Sequence, residues 1–224
     1  MLIAYSVQRL ASRNNYTLYA KRYPLIVSVA KLVPKKGLDL AVQACAKLKE
    51  MDVEFIFEIV GDGPEKERLQ RQIQQLGLAD QVVLRGSVAN DQLVPLLAQA
   101  CVFLLPCVQV RSGDMDGIPV AMMEAMACEV PVVSRWISGI PELVHHNVNG
   151  LLVREQDPAA IAEAVKELLV DPAKARRFGQ AARQQVQQNF NITKTAAQLR
   201  ELISIDKQDC PQYTANSIRQ VKGG

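Results

Sequence analysis

Six short apolar stretches alternate with segments of helical spacing, and no other feature constrains this chain so much. The stretches are "LIVSVA" (25–30), "EFIFEIVG" (54–61), "QVVLRG" (81–86), "VFLLP" (102–106), "VPVVS" (130–134) and "GLLV" (150–153). They lack inside–outside alternation, so they read as strands covered on both faces. Between them, residues 35–50 place Leu38, Ala41, Val42, Cys45 and Leu48 at helical spacing. Residues 64–77 open on Pro64 and close on Gly77, and residues 157–171 carry Asp157 at a cap position with Pro158 just inside. Shorter helices are predicted at 90–100, 118–128 and 140–144, and further ones at 172–189 and 193–204. Alternation of this kind predicts an α/β fold, a single Rossmann-like doubly wound parallel sheet over residues 24–205. Residues 1–23 show no clear period and read as a lead-in or remnant, and the polar tail from 206 to 224 reads as flexible.

Composition narrows the ligand class. The 224 residues carry a net charge of +3 with no lysine or arginine block, which argues against nucleic acid as partner. A mild positive balance suits an anionic small molecule, or a peripheral contact with an anionic membrane surface. No stretch approaches the ~18 consecutive apolar residues of a membrane span. The first residues lack the basic, apolar and cleavage regions of a signal peptide. The five cysteines are odd in number, form no C-x-x-C pair and have only His145 and His146 for company. That pattern fits reduced cysteines in a cytoplasmic protein, with no metal site and no cofactor expected.

In doubly wound sheets ligands bind beyond the carboxyl ends of the strands, so the segments after each strand are the candidate sites. After the first come Lys31 and Lys36 beside a helix start. They read either as a phosphate or diphosphate site or as two solvated lysines. After the second, Gly61 and Gly63 allow a tight turn and a close ligand approach, but "GDGPEK" is not the G-x-G-x-x-G dinucleotide fingerprint, and Asp62 reads as a turn residue. After the third, Gly86, Ser87 and Val88 could form a slot for a flat base or a plain loop. After the fourth, a long loop ends in "DMDGIPVAMMEAM" (114–126), with Asp116 and Glu124 eight positions apart. The turn at Gly117 to Pro119 brings the N–H groups of Gly117, Ile118 and Val120 to a helix mouth, Pro119 itself having none to give. Asp116 there could be only a partner of the helix dipole. Glu124 lies among methionines and alanines, where a carboxylate is rarely buried without a partner such as a ligand hydroxyl or a lysine. An ~80° offset on a helical wheel keeps the two acids off one face but lets them line two walls of one pocket. After the fifth, Glu142 suits a helix N-terminus, and His145 and His146 read as surface residues.

Taken in order, "LIVSVAKLVPKKGLDL", "IVGDGP", "VFLLP", "DGIPVAMMEAMACEVPVVS" and "SGIPELVHHNVNGLLV" resemble the nucleotide-sugar-binding, C-terminal half of the group 1 (family 4) retaining glycosyltransferases of GT-B fold. The wording "DMDGIPVAMMEAMA" is similar to members that build exopolysaccharides of the colanic acid type. The resemblance implies transfer of a hexose from a nucleotide diphosphate sugar to a polysaccharide or lipid-linked acceptor, without a metal. It puts Glu124 on the donor ribose and Asp116 near the donor sugar. The amides of Gly117, Ile118 and Val120 would face the sugar and distal phosphate, and Lys31 and Lys36 the diphosphate. Gly61, Gly63, Gly86, Ser87 and Val88 would complete the nucleotide site. Asp116 stands where the family has glutamate, and Lys31 where it has arginine, so a bidentate clamp becomes a point charge. The resemblance further implies that an N-terminal acceptor domain is missing from this chain, as in a shortened or split enzyme. The chain alone would then be inactive, located in the cytoplasm or at the inner face of the membrane. The alternatives are an epimerase-like or phosphorylase-like relative, and a non-catalytic subunit that binds a nucleotide sugar and docks on a partner transferase.

Overall fold

A computed structural model describes residues 23–209. The lead-in at 1–22 and residues 210–224 of the predicted tail lie outside the described residues. Strands β1 (Leu25–Val29), β2 (Ile56–Val60), β3 (Val82–Gly86), β4 (Val102–Leu104), β5 (Val132–Arg135) and β6 (Gly150–Val153) form one parallel sheet in the order β3-β2-β1-β4-β5-β6. This is the doubly wound, Rossmann-like parallel sheet that the sequence predicts, and its strand order reverses between β1 and β4. The helices are α1 (Leu38–Glu50), α2 (Lys66–Gln75), α3 (Asn90–Leu97), α4 (Val120–Ala127), α5 (Ile140–Leu143), α6 (Pro158–Val170), α7 (Pro172–Asn189) and α8 (Ile192–Asp209). The chain divides into two compact units, one ending at Val186 and one beginning at Gln187. Among the described residues no helix is long and apolar enough to cross a membrane.

The predicted periodicities correspond to buried faces. Leu38, Ala41, Val42, Cys45 and Leu48 are all buried on α1. Helix α6 packs along α1 and over β4, β5 and β6. Its N-terminus is capped as predicted, with Asp157 accepting from the N–H groups of Ala159 (2.9 Å) and Ala160 (3.3 Å). Differences fall at boundaries. The segment 35–50 is two elements, a 3-10 turn at Pro34–Lys36 and then α1, because Gly37 takes a left-handed conformation between them. Helix α2 begins at Lys66, with Pro64 in the preceding turn. Helix α8 continues to Asp209, beyond the limit of 204 and the boundary of 205.

Polar groups inside the sheet are matched to partners. Ser28 on β1 donates to the carbonyl of Leu104, and Ser134 on β5 donates to that of Leu105 (2.6 Å). The two hydroxyls thus hold the end of β4 from both sides. Glu58 is fully buried on β2 and pairs with Arg85, whose Nη2 lies 3.1 Å from Oε1. The β2–β3 register passes from Ile59↔Leu84 to Val60↔Gly86. Arg85 is therefore the extra residue of a bulge.

Candidate functional site

A cavity of about 530 Å³ opens at the carboxyl ends of β1, β2 and β3, within the size range of small-ligand sites. Its floor is tied together by backbone bonds. Ala30 N–H donates to Val60 (3.0 Å), Leu32 to Asp62 (2.9 Å) and Gly61 to Gly86 (2.9 Å). Gly61 has φ +134°, and a Cβ there would stand 1.9 Å from the carbonyl oxygen of Ala30. Only glycine lets the ends of β1 and β2 lie this close. One wall is the start of α3, with Asn90 and Leu93, below Ser87 and Val88. The opposite wall is the N-terminus of α4, with Pro119, Val120 and Ala121. Pro119 is the N-cap and no side chain caps this helix. Its first-turn amides therefore face a cavity with positive partial charge.

Of the predicted residues, Lys31, Lys36, Gly61, Ser87, Val88 and Val120 line this cavity. Gly63, Gly86, Asp116, Gly117, Ile118 and Glu124 stand outside its lining. Gly63 serves loop packing, since a Cβ there would come 2.5 Å from Leu32 O. Gly86 contributes the carbonyl that accepts from Gly61. Ile118 packs against Gly139 of the β5–α5 turn. Gly117 is exposed in open space. Glu124 is exposed, and among the described residues it has no ion-pair partner. It lies one helical turn beyond Val120 and Ala121, on their face of α4. Its carboxylate is thus solvated rather than buried. Asp62 forms a turn as predicted, accepting from Gly63 N–H (2.7 Å) and from Lys66 (2.8 Å). These contacts, Lys66 first, hold its carboxyl below the usual range. His145 and His146 are exposed, and His146 Nδ1 accepts from Leu152 N–H (3.1 Å).

Asp116 is not oriented by α4. It lies four residues before the helix, so the helical offset between the two acids does not apply to it. Its Oδ2 is 2.8 Å from Lys36 Nζ, and its Oδ1 is 3.7 Å from Lys35 Nζ. Lys35 also lies 3.2 Å from Asp114. Its hydrogen bond to Asp114, with Asp116 adding, raises the Lys35 ammonium above its ordinary pKa. The side chains of Lys36 and Asp116 are 15% and 14% exposed. Lys31, by contrast, is exposed and has no acid within ion-pair distance among the described residues. The Cys107 thiol donates to Asp116 at 3.8 Å. Burial, with the Asp116 charge adding, pushes that thiol up to about 12.

Arg135, at the end of β5, went unread in the sequence. It is 7% exposed and donates to three carbonyls, those of Cys107 (3.2 Å), Arg154 (3.3 Å) and Glu155 (3.2 Å). Burial lowers its pKa from the usual guanidinium value. It pins the segment that follows β4 to the one that follows β6. A polar residue closing a strand normally reads as solvated, so only its neighbours in space reveal the role. Among the described residues no group of three or more His, Cys, Asp or Glu side chains could hold a metal ion.

The arrangement can hold an anion. Two ammonium groups and an uncapped helix end converge on one cavity that also offers the apolar side chains of Val88 and Leu93. The family model for glycosyl transferases group 1 matches residues 12–185. The chain is 44% identical over 167 residues to the putative colanic acid biosynthesis glycosyltransferase WcaL of Escherichia coli K12, covering 74% of this chain and 41% of that protein. It thus spans less than half the length of this relative. Among solved structures it is similar to HepE of Anabaena in complex with UDP, with TM-score 0.74, 24% identity, and 87% and 52% of the two chains covered. It is also similar to the C-terminal domain of the group 1 glycosyl transferase LpcC of Francisella tularensis, with TM-score 0.65, 19% identity, and 80% and 94% covered. The chain belongs to the group 1 glycosyl transferases.

Proposed function

We propose that this chain is the donor-binding, C-terminal half of a retaining GT-B glycosyltransferase. The observation that carries the reading is the convergence of Lys31, Lys36 and the α4 N-terminus on one cavity at the strand ends. The diphosphate of a nucleotide sugar would bind the lysines and the α4 amides, with the base against Ser87, Val88 and Leu93. Glu124, exposed on the cavity side of α4, would accept the ribose hydroxyls. Asp116 would meet the donor sugar together with the amides of Gly117 and Ile118. Stabilising the leaving diphosphate is the part of catalysis these groups can supply. The acceptor, a polysaccharide or lipid-linked saccharide at the cytoplasmic face of the membrane, would be held by an N-terminal half. Two observations support this. HepE was solved with UDP, and the LpcC domain matched along 94% of its length is a C-terminal domain.

Calorimetric titration with UDP, GDP and ADP, beside the bare nucleosides, tests the reading. One diphosphate should bind in preference to the others. Lys36→Ala should weaken that diphosphate about tenfold or more and leave the nucleoside unchanged. Glu124→Gln should weaken diphosphate and nucleoside alike, by ~1–3 kcal/mol. Equal loss of both ligands in Lys36→Ala would remove the phosphate role. No binding of any diphosphate would remove the donor site.

A further inference from the structure

We propose that Lys35 is a positioning residue that holds Asp116 when a diphosphate takes Lys36. The inference rests on the donor reading above. Before a ligand arrives, Lys36 is committed to Asp116 at 2.8 Å, yet Lys36, and not Asp116, lines the cavity. A phosphate oxygen in hydrogen-bond contact with Lys36 Nζ would lie roughly 6 Å at most from the Asp116 carboxylate, inside the screening length of physiological salt. Two anions would then compete for one ammonium group. Asp116 cannot simply turn to water, because its side chain is only 14% exposed and its Oδ2 also receives the Cys107 thiol.

Lys35 resolves the conflict by its placement. Its Nζ faces the other oxygen of the same carboxylate at 3.7 Å, and it faces Asp114 at 3.2 Å. Its backbone carbonyl accepts from Val108 N–H at 2.9 Å, so the lysine is anchored to the loop that carries both aspartates. A small contraction brings Lys35 into close contact with Asp116 as Lys36 turns to the phosphate. Lys35 is absent from the cavity lining, so it acts through Asp116 rather than on the ligand. The sequence hides this because "PKKG" presents adjacent lysines that look interchangeable.

The test is calorimetry on the full chain with UDP, GDP and ADP, and with uridine, guanosine and adenosine as controls. In Lys35→Met the preferred diphosphate should bind about fivefold more weakly, and the nucleoside as in the wild type. Lys35→Arg should keep the wild-type affinity. In Lys35→Met/Asp116→Asn the diphosphate should return to within about twofold of Asp116→Asn alone, because the repelling charge is gone. A merely structural lysine would not be rescued by neutralising Asp116. Unchanged diphosphate affinity in Lys35→Met, or a double variant as weak as Lys35→Met, overturns the role of Lys35 and leaves the donor reading standing. A wild-type chain that binds none of the three diphosphates overturns both.

Discussion

Gly61→Ala should destabilise the unit ending at Val186 by about 3 kcal/mol or more, although it adds one methyl group. The added Cβ would sit 1.9 Å from Ala30 O and 2.9 Å from its carbonyl carbon, and alanine would be forced to φ +134°. Neither neighbour can yield cheaply. Ala30 donates its N–H to Val60, and Gly61 donates its own to Gly86. A shift would therefore open β1, β2 and β3 together, at the floor of the cavity. The expected readout is a large fall in melting temperature with loss of diphosphate binding. Gly117→Ala is the control, because its Cβ would meet nothing within 4 Å, and its melting should change by less than ~0.5 kcal/mol. If Gly61→Ala melts with the wild type, the close approach of the two strand ends is wrong.

Arg135→Met should cost about 2–3 kcal/mol, read as a lower urea midpoint at unchanged slope. Methionine fills much of the same volume but donates nothing. The carbonyls of Arg154 and Glu155 belong to exposed residues, so water can replace the guanidinium there. Cys107 is 1% exposed, and its carbonyl would lose its partner in the interior. Relief from burying a cation offsets part of the loss. Lysine should not substitute, because one ammonium group cannot reach three separately placed carbonyls in the geometry of a planar fork. A midpoint equal to the wild type would show that the post-β4 segment is held by other contacts.

Much of the fold was legible because burial on both faces leaves a simple trace. Strands such as Leu25–Val29 are apolar without alternation, and α1 repeats its apolar positions at the period of its buried face. Glu58 and Arg85 are the exception. Their pairing depends on a bulge in β3, and register across strands has no signature in either strand alone. In the cavity lining, the predicted residues that recur include those closest to strand ends. Lys31 and Gly61 follow β1 and β2 within two residues, so placing the strands places them. Asp116 was read against α4, whereas it lies on the long loop before it and is directed by Lys36 and Lys35. Loop conformation of this kind is decided by tertiary contacts, such as Gly37 against Pro106, that no periodicity records. Glu124 was expected to need a partner because its neighbours in sequence are apolar. On α4, however, Met122, Ala125 and Met126 turn to the core while Glu124 faces outward.

The strand order also bears on how the chain is born. Strand β1 is central and pairs with β2 on one side and β4 on the other, Ile26 lying opposite Val102. Ser28 and its acceptor Leu104 are 76 residues apart. Strand β3 ends at Gly86 and β4 at Leu104, so at ribosomal rates of about 5–20 residues per second the β1-β2-β3 half precedes β4 by roughly one to four seconds. Through that interval the β4-facing edge of β1 is open, with backbone N–H and C=O groups unpaired and Ser28 without its acceptor, and such an edge pairs with whatever strand comes near. The nascent chain is therefore most prone to aggregate while residues 87–104 are being made, and slower translation through that stretch prolongs the exposure.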